Sequence, residues 1–188
     1  KSTRLFSHQK NVQLMFHPDS GATRLLVSHR TGSGKTLTML SCLNNFFEDA
    51  RSKILIFPTE GLVDNFFNEM FVMQNKYADY VNRRRQKEGL SLLQSGARLT
   101  AVQLRYVKDL LAMKAELNKI GLAGYLKAPV RVMRYTIAGG SQAFSSSSRN
   151  PVFKRHWDGK NPYSNKFIIM DEAHNLVVKK HKYIKQLK

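Results

Sequence analysis

Residues 29–36 read His-Arg-Thr-Gly-Ser-Gly-Lys-Thr, a set of types and spacings suited to holding phosphates. A phosphate-binding loop needs glycines so that backbone N–H groups can turn inward, a lysine to reach the β and γ oxygens, and a hydroxyl for Mg²⁺. Gly32 and Gly34 supply the turn, Lys35 the charge and Thr36 the hydroxyl, with Thr31 and Ser33 completing the loop. A helix beginning at Lys35 would add the partial positive charge of its N-terminus. The full G-x-x-x-x-G-K-[ST] spacing asks for glycine where this chain has His29. A second cluster, Asp171-Glu172-Ala173-His174, follows an apolar run. An Asp at such a strand end can hold the Mg²⁺ of a nucleotide, and a neighbouring Glu can orient or deprotonate an attacking water. Either cluster alone is weak; both in this order, each behind an apolar strand, form a strong joint signal.

The elements that must position these residues alternate between strand and helix. Residues 24–29 (RLLVSH) form a short apolar run that predicts a strand ahead of the loop, and Leu37, Leu40, Leu43, Phe46 and Phe47 then recur at near-helical spacing. Residues 53–57 (KILIF) predict a second buried strand stopped by Pro58, and residues 62–72 a helix with Val63, Phe66, Phe67, Met70 and Phe71 on its core side. Residues 130–137 (VRVMRYTI) and 166–170 (KFIIM) predict two more strands, the last delivering Asp171 at its C-terminal end. Strands separated by helices imply an α/β fold with a mainly parallel sheet covered on both faces. Between Gln74 and Lys127 the chain turns basic and helical. Leu99, Val102, Tyr106, Leu110, Met113, Leu117 and Ile120 advance by three or four as one apolar stripe, with Arg105, Lys108 and Lys119 opposite and Gly121 and Gly124 at its end. That pattern fits a helix packed on the core with a solvated basic face; a nucleic-acid or partner contact is the alternative. Gly139-Gly140 and the serines at 145–148 predict a loop.

With these residues in view, the chain resembles superfamily 2 helicases and translocases of the DExH type. Gly32-Ser33-Gly34-Lys35-Thr36 is similar to their motif I and Asp171-Glu172-Ala173-His174 to motif II. Leu5-Phe6-Ser7-His8-Gln9 resembles the upstream element whose glutamine recognises adenine, and residues 54–65 (ILIFPTEGLVDN) resemble motif Ia, which touches the nucleic-acid backbone. His29 ahead of the loop and Asn175 after the second cluster are similar to a narrower group, the transcription-associated NTPases and helicases of large cytoplasmic DNA viruses. The resemblance implies a RecA-like P-loop domain that binds ATP and Mg²⁺. It gives Gln9 to adenine, Lys35 and Thr36 to phosphates and metal, Asp171 to metal, Glu172 to water, and His174 to coupling with bound DNA or RNA. It covers residues 5–72 and about 130–176. The stretch 74–127 lies outside it and reads as an insertion between core strands. Residues 1–188 would then be the N-terminal part of a first RecA-like domain, the coupling motif and the second RecA-like domain with its arginine fingers belonging to the rest of a longer parent chain. A second reading is a non-hydrolysing, helicase-like scaffold that binds nucleic acid or docks transcription-complex subunits; intact Lys35, Thr36, Asp171 and Glu172 weigh against it.

Charge refines the picture. The 188 residues carry 31 Lys+Arg against 13 Asp+Glu, a formal +18, and 42% apolar residues can fill a core. Such an excess predicts a polyanionic partner. Residues 1–73 hold 8 basic and 6 acidic side chains (+2), residues 74–135 hold 13 and 4 (+9), and residues 136–188 hold 10 and 3 (+7). The excess thus lies outside the nucleotide-handling third. The lone Cys42 excludes an internal disulfide and any multi-cysteine zinc site, which fits an intracellular, reducing compartment, or host cytoplasm or virion for a viral protein. No run of 18 apolar residues predicts a membrane span. Thr59 and Asn65 fit phosphate contacts or helix capping, Trp157 base stacking or packing, and the five lysines after Val178 a phosphate-contacting stretch or a solvated helix start.

Overall fold

A computed structural model of the chain describes residues 5–30, 32–94, 96–113, 126, 128–134 and 163–174. The described elements run α1 (Ser7–Met15), α2 (Lys35–Asn45), β1 (Lys53–Phe57), α3 (Glu60–Glu69), α4 (Lys76–Lys87), α5 (Ala101–Ala112), β2 (Val130–Arg134) and β3 (Phe167–Met170). They fall into two compact units, residues 1–50 with 64–129, and residues 51–63 with 130–188.

The second unit is built on a parallel sheet in the order β2-β1-β3. In register, Lys53 of β1 faces Val130 of β2 and Phe167 of β3. All five residues of β1 are buried, Lys53 among them, as a central strand covered on both faces requires, and the apolar run 54–57 is the signature of that position. Arg134 at the end of β2 pairs with Glu60 at the start of α3, Nη1 to Oε2 3.1 Å.

The first unit packs helices. Leu40, Leu43, Phe46 and Phe47 of α2 and its C-terminal turn are buried with Phe66, Phe67 and Met70, as the sequence predicts. Cys42 is buried here too, and burial raises its thiol to about 11, so it stays a protonated, unreactive side chain. α1 lies on α2, with Asn45 donating to the carbonyls of Gln13 (2.7 Å) and Phe16 (3.1 Å).

The stretch after Met73 holds two helices, α4 and α5, each fixed by specific contacts. Asn75 caps α4 by accepting from Ala78 N (2.9 Å), and its amide donates to Met70 O (2.6 Å) and Met73 O (2.8 Å). Tyr77 is buried against Phe47, ring edge to face at 4.9 Å, with its hydroxyl donating to Leu43 O (3.3 Å). Thr100 and Gln103 form a reciprocal capping box on α5. Between the helices, buried Arg85 donates to Ser91 O (2.7 Å) and lies over the Tyr106 ring, whose hydroxyl donates to Glu88; Glu88 also accepts from Arg84 (2.7 Å). The two hydrogen bonds hold the Glu88 carboxyl below its ordinary value.

Three sequence expectations change. Residues 24–29 form no strand: they carry no regular secondary structure, with Leu26 88% exposed. An apolar run becomes a strand only where another strand's edge pairs with it, and no described strand pairs with this one. The apolar stripe of α5 is turned from the predicted one. Leu104, Val107, Leu110 and Leu111 are buried, while Val102 and Met113 are exposed. Leu104-Val107-Leu111 is an equally good three-and-four series, so packing against the neighbouring helices, not spacing, chooses the face. Lys108 is not on a solvated face either. It pairs with Asp64 (2.8 Å) beside the Phe67 ring. With Lys76 on Glu48, Arg84 on Glu88 and Arg105 near Asp109, several cations of α4 and α5 are matched within the unit. These pairs offset only part of the charge, and the stretch stays strongly basic. Residues 114–125, 135–162 and 175–188, which include Trp157, the predicted serine loop, Asn175 and the terminal lysines, lie outside the described residues.

Candidate nucleotide site

The predicted loop is a tight left-handed turn. Gly32 has φ 78° and Gly34 φ 77°, a region that L side chains avoid and glycine adopts freely. Gly34 is the N-cap of α2, so no side chain caps that helix, and its first turn carries no acidic residue. A helix N-terminus without a side-chain cap or a carboxylate in its first turn is the arrangement that receives anions. Lys35 and Thr36 open the helix, half-buried, and a Cβ at Gly32 would meet no atom within 4 Å. An open cradle, uncapped amides, a lysine and a hydroxyl fit a polyphosphate with its cation. Thr31 lies outside the described residues.

The loop leans on α1. Gln9 is fully buried, its Nε2 donating to Gly34 O (3.0 Å) and Ser33 O (3.4 Å) while its Oε1 accepts from Phe6 N (2.8 Å). Gln9 sits at the third helical position and reaches back to the N-cap amide, half of a capping box whose other half Phe6 cannot supply. With both amide ends engaged and no exposure, Gln9 presents no edge to a base in this arrangement. Reading adenine would require it to release Phe6 and the loop. His8 Nε2 donates to Ser33 O (3.2 Å), and Ser33 Oγ lies 3.0 Å from His29 Nδ1. The two imidazoles meet edge to face at 5.5 Å. Sequence reasoning named His8 and His29 without joining them; the signal available was an imidazole standing at the usual glycine position.

The acidic cluster is assembled in the second unit. Asp171 is 5% exposed at the end of β3, its N–H donating to Ile56 O (2.9 Å) and so continuing the parallel ladder. Its Oδ1 accepts from Glu172 N (2.9 Å). Glu172 has φ 51°, an uncommon conformation for a residue with a side chain. Positive φ of this kind costs about 1–3 kcal/mol and concentrates at functional positions. His174 is well exposed, and its Nδ1 lies 3.2 Å from Glu172 Oε2. That contact was not visible in the sequence, although a spacing of two across a left-handed turn permits it. Thr59 and Asn65 are both exposed, Thr59 immediately before α3 with its carbonyl accepting from Val63 N (3.3 Å).

Residues 3–188 match the family model of the type III restriction enzyme, res subunit. The chain belongs to this family. No curated protein and no solved structure matches it. Membership in the res-subunit family makes the chain a superfamily 2, helicase-like domain of RecA type, and the parallel three-stranded sheet with five helices among the described residues agrees with that α/β class. Helicase-like domains of this kind bind nucleic acid and ATP with Mg²⁺. Among the described residues no helix is long and apolar enough to cross a membrane.

Proposed function

We propose that this chain is the ATP-binding part of a DExH-type helicase or translocase, coupling ATP hydrolysis to movement along DNA or RNA. The observation that carries the reading is the left-handed Gly32–Gly34 turn opening directly into an uncapped helix that begins Lys35-Thr36. Lys35 and Thr36 bind and orient the phosphates, with Thr36 and Asp171 as the residues to hold Mg²⁺. Asp171, nearly buried and ordered by the Glu172 amide, is preset in one orientation. Glu172 takes the proton of the attacking water, and His174, in contact with the same carboxylate, links that group to nucleic-acid binding. Mg²⁺, when bound, supplies the charge neutralisation that phosphoryl transfer needs. The likeness of His29 and Asn175 to the viral transcription-associated group supports a place in a viral transcription apparatus, with its other subunits as partners and host cytoplasm or virion as its location.

The test is ATP hydrolysis by the full-length protein, with and without nucleic acid. We expect stimulation by nucleic acid and loss of turnover in Lys35→Ala; undiminished hydrolysis by that variant sinks the proposal. The 188 residues alone should bind nucleotide weakly and turn over little. An arginine supplied by a second domain is worth ~10³–10⁵ in rate in related NTPases. Rapid turnover by the isolated chain contradicts this division of labour.

A further inference from the structure

Nothing in the phosphate chemistry of the loop calls for an imidazole at residue 29. Yet His29 is tied to it, its Nδ1 3.0 Å from Ser33 Oγ, while His8 Nε2 donates to the carbonyl of the same serine at 3.2 Å. Ser33 lies between the two left-handed glycines. One imidazole therefore grips its hydroxyl and the other its carbonyl. The rings brace one another edge to face at 5.5 Å, and Phe6 stacks on His8 at 5.8 Å. Donation to a carbonyl fixes His8 with its proton on Nε2. For His29 both neutral tautomers satisfy Ser33, since a hydroxyl can donate or accept. In either, Nε2 of His29 is buried and has no hydrogen-bond partner among the described residues. The protonated ring always carries an Nε2–H with no acceptor among the described residues, which the neutral Nδ1–H tautomer avoids, and it adds a charge near His8 of α1 and Lys35 of α2. Unpaired buried donors and charges are costly, so the grip on Ser33 belongs to the neutral ring.

We propose that His29 is a positioning residue of the nucleotide site. As a neutral imidazole it holds Ser33, and through it the turn between Gly32 and Gly34, in the shape that receives phosphates; on gaining a proton it lets go. The inference rests on the nucleotide-binding reading above. Burial, then His8, then Lys35 all lower the affinity of His29 for a proton. The sign follows. The native loop favours the uncharged ring, so the arrangement is fully stable above the ordinary histidine value of about 6.5 and is progressively lost as pH falls below it.

The experiment measures Mg·ADP affinity of the chain by calorimetry at about pH 8 and about pH 5.5, either side of the ordinary histidine range. Wild type should bind more weakly at the acid end. His29→Ala should lose roughly three- to tenfold at the alkaline end, the worth of one hydrogen bond. His29→Asn offers an amide near the Nδ1 position but does not titrate. It should recover most of that loss and flatten the pH dependence relative to wild type, with the protonation of the nucleotide itself cancelling in the comparison. An unchanged pH dependence in His29→Asn overturns the proposal. So does tighter wild-type binding at acid pH, which would make His29 a cation contacting phosphate. Should the variants fold poorly, the His29 ring resonance is followed against pH in wild type. A midpoint below the ordinary value that moves in Ser33→Ala supports the grip, and a midpoint indifferent to Ser33 overturns it. Lys35→Ala separates the two levels. Undiminished Mg·ADP affinity there refutes nucleotide binding itself, whereas loss there with no His29 effect refutes only the positioning role.

Discussion

In the full-length protein, Glu172→Gln lowers ATP turnover by about 10²–10⁴-fold while nucleotide affinity stays close to wild type; this is the range a positioned general base contributes. The substitution keeps size and shape and removes only the capacity to take a proton. The neighbouring contacts survive it. Asp171 Oδ1 accepts from the backbone N–H of residue 172, which any side chain retains, and an amide oxygen can take the place of Oε2 beside His174 Nδ1. The left-handed turn at residue 172 is equally open to glutamine, so folding should not suffer. Single-turnover hydrolysis set beside equilibrium nucleotide binding checks the claim. Equal turnover in the two proteins would remove Glu172 from the chemistry, and a parallel collapse of binding would make it a structural residue instead.

Gly34→Ala should weaken nucleotide binding far more than Gly32→Ala, although the two glycines share nearly the same backbone angle. Each alanine pays about 1–2 kcal/mol for the left-handed conformation. At Gly32 the added methyl meets open space, whereas at Gly34 it runs into Nε2 of Gln9. Gln9 is fully buried and tied to Phe6, Ser33 and Gly34, so it can yield only by breaking bonds worth roughly 1 kcal/mol each. The combined cost at Gly34 is about 2–4 kcal/mol, or about 30- to 1,000-fold in affinity if the loop bears all of it. Calorimetric titration of both variants, with thermal denaturation to follow the fold, tests the asymmetry. Equal losses at the two positions would mean that α1 does not support the loop.

The parts that could be read in advance are those where one local rule decides the outcome. β1 announced itself as a short apolar run, because a strand buried on both faces has little polar side to show, and β3 carries the same kind of run although only Phe167 in it is fully buried. The loop was legible since few residues other than glycine accept its backbone. What escaped was settled by partners distant in sequence. Residues 24–29 have the composition of a strand, but composition carries no information about whether an edge is there to receive them. The buried face of α5 was a choice between two apolar series, and neighbouring helices made it. Gln9, His8 and His29 converge on Ser33 from 24, 25 and 4 residues away, which no spacing rule anticipates.

α2 has a different occupant at each end. Its first residue is Lys35, and near its last turn α4 is fastened: Tyr77 to Leu43 O, the Lys76 amide to Asn44 Oδ1 at 2.8 Å, and the Lys76 ammonium to Glu48 just beyond. An eleven-residue helix is a rod about 16 Å long. The phosphate loop and the basic stretch after Met73 therefore share one support, each holding an opposite end of it.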